Sequence, residues 1–110
     1  MNQLLKDRTT QKVFEDLEIE TPDFGIDEAQ LEQLIAGQVA WMLDHRRNYL
    51  TSLMYRLDID HAKIKMVLHH GMHGNPALGL ARLIIERQKQ RLETKATIEV
   101  PPIDDIDSKW

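Results

Sequence analysis

The sequence contains no cysteine and only 5% aromatic residues. The first absence excludes disulfides, thiolate metal sites and cysteine nucleophiles together. The second argues against a sandwich or barrel, whose strands favour aromatic and β-branched side chains. Long apolar runs are also missing. The longest is Val39-Ala40-Trp41-Met42-Leu43, far short of a bilayer span. Met1-Asn2-Gln3 leads into Lys6, Asp7 and Arg8 without an apolar stretch, so no secretory signal is expected and the cytoplasm is the expected location. Serine is confined to Ser52 and Ser108, and neither sits in a nucleophile elbow. Eighteen acidic residues are present, but nothing marks a buried carboxylate pair. The expectation is a non-enzyme that needs no cofactor.

What is present is one domain's worth of chain, 110 residues with 42% apolar and 29% charged side chains. Its net charge of −4 is divided unevenly. Residues 1–32 carry −6, residues 33–98 carry +5 and residues 99–110 carry −3. A basic middle therefore lies between acidic flanks.

Helical spacing dominates that middle. Asp27 is an N-cap followed three residues later by Gln30, with Ile26 and Leu31 at the two staple positions. Leu31, Leu34, Ile35, Gln38, Met42 and His45 follow at steps of three and four, with Val39 beside them. Tyr49, Leu50, Leu53, Met54 and Leu57 continue the period after a polar interruption at His45–Asn48. A bend or short turn is expected there, with Asn48 a candidate for a new cap. Asp60 caps the next helix, with Ile59 and Ile64 as staple, and Gly71 ends it. Asn75-Pro76 opens a last helix running to about Ala96. Residues 9–18 suit one short helix, broken by Thr21-Pro22 and Gly25. No strand pair, internal repeat or low-complexity block is apparent. The expected fold is all-α: a small antiparallel helical bundle of about four helices over 27–97, with an acidic N-terminal segment at 1–26 and a flexible, acidic C-terminal tail at 98–110.

Asn48–Asp60 (NYLTSLMYRLDID) and Leu80–Lys95 (LARLIIERQKQRLETK) resemble segments of short all-helical bacterial proteins to which no activity is assigned. The resemblance implies a helical fold over roughly 27–96 and transfers no functional residue.

Three chemistries compete for the surface. His69, His70 and His73 crowd a Gly71–Gly74 turn, with His61 upstream, and imidazoles at that density can bind zinc or nickel. Their spacing fits neither H-E-x-x-H nor Glu-x-x-His, so histidines near a helix C-terminus are the simpler reading and no metal is expected. Gly74 and Gly79 have phosphate-loop spacing, but Leu80 and Ala81 stand where Lys and Ser/Thr belong. Arg82, Arg87, Lys89, Arg91 and Lys95 offer phosphate contacts for a nucleic-acid module. Yet the start of that helix, Asn75-Pro76-Ala77-Leu78, has little with which to read bases, and the acidic flanks should screen it.

The leading expectation is a non-catalytic interaction or accessory protein that pairs as a homodimer, with a further protein partner possible and neither nucleic acid nor membrane expected. Leu78, Leu80, Ala81, Leu83, Ile84 and Ile85 nearly encircle the start of the last helix. Trp41 lies off the Leu34–Gln38–Met42 stripe and suits a second surface. Arg87, Arg91 and Lys95 repel one another along the helix and call for an acid from elsewhere, within the chain or from a second subunit. The candidate interface is therefore Trp41, Leu78, Ile85, Arg87, Arg91 and Lys95.

Overall fold

A computed structural model describes residues 2–22, 25–70 and 75–99, with side chains described at 4–22, 25–69 and 75–94. The expected acidic tail lies outside these residues, apart from the backbone of its first two positions. The described residues form six α-helices and no strand: α1 (Asn2–Lys6), α2 (Arg8–Asp16), α3 (Glu28–His45), α4 (Arg47–Arg56), α5 (His61–His70) and α6 (Pro76–Glu99).

The helix starts follow local side-chain chemistry. Asp7 accepts from the Thr10 amide at 3.0 Å and separates α1 from α2. Asp27 accepts from the Gln30 amide at 2.8 Å while Gln30 Oε1 accepts from the Asp27 amide at 3.0 Å, completing the capping box. Asp60 accepts from the Ala62 amide at 2.9 Å, and Asn75 from the Leu78 amide at 3.2 Å. These satisfy amides that a helix start otherwise leaves open.

Two helix ends share one geometry. After α2, Glu18 takes φ 63°, its amide donates to Glu15 O, and the Ile19 amide donates to Phe14 O. After α4, Asp58 takes φ 65°, its amide donates to Tyr55 O, and the Ile59 amide donates to Met54 O. Both are Schellman ends with an acid where glycine is usual. Leu17-Glu18-Ile19-Glu20 and Leu57-Asp58-Ile59-Asp60 are thus one local device used twice.

The break between α3 and α4 falls at Arg46, with φ −142° and ψ 49°, and not at Asn48, which lies inside α4. Arg46 makes no side-chain cap. It is held from outside: its guanidinium pairs with Glu18 and lies 4.2 Å over the Tyr49 ring, while Tyr49 OH donates to Asp16 O at 2.6 Å.

The helices α3 and α6 make the central contact and run antiparallel, since Glu32 pairs with Arg82 while Glu28, one turn earlier, pairs with Lys89 further on. Leu31, Ile35, Val39 and Met42 of α3 meet Leu80, Ala81, Ile84 and Ile85 of α6 in one core. Leu4, Leu5, Val13, Phe14 and Leu17 belong to that core as well. The acidic first residues are therefore packed structure, with their apolar side chains laid over the central pair. Burying Phe14 alone is worth about 2–3 kcal/mol relative to leaving it exposed.

Candidate functional site

The cations of α6 are engaged inside the chain. Arg82 Nε donates to Glu32 at 3.1 Å and Lys89 Nζ to Glu28. Arg87 Nε donates to Leu57 O at 2.8 Å, with Asp58 3.9 Å from its Nη2. Arg91 Nη1 donates to Gln88 Oε1 at 2.6 Å. The Lys95 side chain lies outside the described residues. Of the three cations expected to need an acid from elsewhere, Arg87 has Asp58 of the same chain beside it, whereas Arg91 meets the neutral Gln88.

The apolar surplus of α6 is also covered within the chain. Ile85, expected on an interface, is only 2% exposed and lies against the α1–α2 cap. With Leu4, Val13, Phe14 and Ile84 it lines a cavity of about 10 Å³, room for roughly one water. Leu78 is half-buried and packs on the core. The cap reaches this face because Asp7 breaks the first helix and turns Val13 and Phe14 inward.

Trp41 is different. It is 45% exposed on the outward face of α3. Leu34, expected on the buried stripe, shares that face at 39% exposure, whereas Val39 takes an inward place. Gly37 lies between them, and a Cβ built there meets nothing within 4 Å. The Trp41 ring stacks on His45 with centroids 4.7 Å apart and planes at 17°, and His45 Nδ1 is 2.9 Å from Trp41 O.

A second exposed face belongs to α5. Only Ile64 is fully buried there and Val67 partly, while His61, Lys63, Lys65, Met66, Leu68 and His69 face outward. Met66 is 62% exposed. Tyr55 of α4 stacks on His61 at 4.2 Å and 25°. Where α5 starts, a shallow depression of about 110 Å³ is lined by Asp58, Asp60 and Glu86 together with Lys63 and Arg87. Its charges are nearly balanced. Asp60 caps α5 and Asp58 lies beside Arg87, so neither stands as a buried acid or base.

Of the proposed histidine site, His69 is exposed on α5, while the His70 side chain and all of His73 lie outside the described residues. Among the described residues no three His, Asp or Glu side chains converge as metal ligands. No described helix is long and apolar enough to cross a membrane.

Sequence reasoning missed Gln88. It falls on the inward stripe Ala77–Ala81–Ile84–Ile85–Gln88 and is 2% exposed. Its Oε1 faces the buried Thr10 hydroxyl at 3.5 Å, and its Nε2 has no hydrogen-bond partner among the described residues. The signal was legible, since a polar side chain breaks an apolar period there. Thr10, 78 positions away, could not be anticipated.

Comparison with protein-family models, curated proteins and solved structures finds no match to this chain. The resemblance to short bacterial proteins therefore reduces to what the fold itself shows, a small all-helical protein.

Proposed function

We propose that this chain is a non-catalytic interaction protein that pairs with a second copy through the outward face of α3. The observation that carries the reading is the exposure of Leu34 and Trp41 on either side of Gly37. Seven residues apart, the two side chains lie about 20° apart around the helix and about 10 Å apart along it. Large apolar groups so placed favour an interface, and tryptophan anchors interfaces well. Glycine at the midpoint lets a second backbone come close. A two-fold axis near positions 37 and 38 sets Trp41 of each copy on Leu34 of the other, the reciprocal pattern of an isologous contact.

Of the side chains bordering this stripe, Gln30, Gln33 and Ala40 are exposed, Gln38 is half-buried, and the exposed Asp44 brings a charge to one end. Polar but neutral groups suit the rim of an apolar contact. With so little charge at the contact, association should be nearly indifferent to sodium chloride. A nucleic-acid complex, losing its counterion-release advantage, weakens steeply instead. The engagement of Arg82, Arg87, Lys89 and Arg91 inside the chain further supports the protein-interaction reading over the nucleic-acid one.

Light scattering at micromolar concentration tests the proposal. The expected mass is twice the 12.8 kDa of one chain. Trp41→Glu is expected to return the mass to one chain with its helical signal retained, because Trp41 supports no described core contact, and to lose the concentration dependence of the wild-type unfolding midpoint. A wild-type mass of one chain, unchanged on concentration, overturns it.

A further inference from the structure

We infer that pH controls pairing through α3, an inference that rests on the dimer proposed above. Each His45, once protonated, meets the carboxylate of the partner's Asp27, and the dimer tightens as pH falls. His45 adjoins the stripe one turn beyond Trp41, with its ring stacked on the indole. Its Nδ1 is 2.9 Å from Trp41 O. A carbonyl oxygen only accepts, so Nδ1 carries a proton in either charge state and the second proton enters at Nε2. The side chain is exposed, which leaves Nε2 open to a second copy. Imidazole is the side-chain group that ordinarily changes charge between pH 5 and 8.

Asp27 and His45 stand at the two ends of α3, about five turns apart, so they lie on one line along the helix. That line borders Leu34 and Trp41. A two-fold axis near positions 37 and 38 carries the border of one copy onto the same border of the other. His45 of each copy then stands opposite Gln30 of the other, with the partner's Asp27 about 4.5 Å further along. A shallow helix crossing of about 20° keeps these ends together. Asp27 Oδ1 accepts from the Gln30 amide, while Oδ2 bonds no other described residue. Capping already holds this carboxylate in place, so the new pair has little ordering left to do on the acid's side. The surrounding charges keep the sign. Arg46 is engaged by Glu18, Arg47 opens α4 beyond the break, and Glu28 is paired with Lys89. The partner's helix start carries about half a positive charge, against which Asp27 sets a full negative one. Asp44, the Trp41 ring face and the C-terminal end of α3 also favour the imidazolium, but all three act in a single copy as well. Only the contact with Asp27 is made on association. Association therefore takes up protons and strengthens toward acid.

Sedimentation equilibrium of the full chain at pH 8 and pH 6, in the same salt, tests this. Two exposed ion pairs per dimer should lower Kd about fourfold at the lower pH. His45→Gln is expected to abolish that gain. Asp27→Asn, which keeps a good N-cap, is expected to abolish it too. His61→Gln, on α5, is expected to retain it, because a general loss of net charge toward acid acts on every variant alike. A gain that survives His45→Gln or Asp27→Asn overturns the inference and leaves the α3 dimer standing, as does a wild-type Kd that is unchanged or higher at pH 6. A chain that is monomeric at both pH values overturns the dimer itself, and this control with it.

Discussion

Gln88 is a polar side chain committed to an apolar site. Its carbonyl accepts from Arg91 and, at 3.5 Å, from Thr10, but its amide nitrogen is buried without a partner among the described residues. An orphaned buried donor costs about 1–3 kcal/mol, more than a long bond to a hydroxyl returns. Thr10 keeps Asp7 as its alternative acceptor, and Arg91 is partly exposed to water. Gln88→Met, similar in volume and wholly apolar, is therefore expected to raise stability by about 1 kcal/mol. In urea the midpoint should rise with the slope unchanged. A lower midpoint would mean that the two accepted bonds outweigh the orphaned amide.

At the scale of the element, the two acid-bearing helix ends invite a similar test. An L-residue in the left-handed region costs roughly 1–2 kcal/mol that glycine avoids. Asp58 recovers little of this through Arg87, since the pair is 3.9 Å apart and its carboxylate is largely exposed. Asp58→Gly is expected to stabilise the chain by about 0.5–1 kcal/mol, read as a higher thermal midpoint. The same substitution at Glu18 should gain less, because it also removes the partner of Arg46 at the α3–α4 break. These elements show what a sequence discloses. Asp27, Asp60 and Asn75 announce helix starts because a cap is complete within a few residues. The position of the break at Arg46 was not legible, because Glu18, Asp16 and Tyr49 determine it from other parts of the chain. Nor was the depth of the N-terminal packing. Asp7 interrupts the helical period that would otherwise have marked Leu4, Leu5, Val13, Phe14 and Leu17 as one buried face.

Across the whole molecule, the division of charge closes on itself. The acidic first third supplies Glu18, Glu28 and Glu32 to Arg46, Lys89 and Arg82. Charge asymmetry was plain in the sequence, but its pairing was not, since that depends on α3 and α6 running antiparallel. Likewise the position of Trp41 off the buried stripe was legible, whereas the company of Leu34 was not: Val39 takes the inward place. Among the described large apolar side chains, Met66 on α5 is the most exposed. The exposure of Met66 has a chemical consequence. Methionine oxidation follows accessibility, and Met66 is 62% exposed whereas Met42 and Met54 are at 0% and 1%. Dilute peroxide is expected to convert Met66 to its sulfoxide while Met42 and Met54 survive, as peptide mass spectrometry would reveal. Comparable loss at Met54 would instead report that the core opens. A sulfoxide replaces a flexible thioether with a polar, chiral group on the outward side of α5. The redox history of a preparation would therefore alter the adhesiveness of α5 without disturbing the fold beneath it.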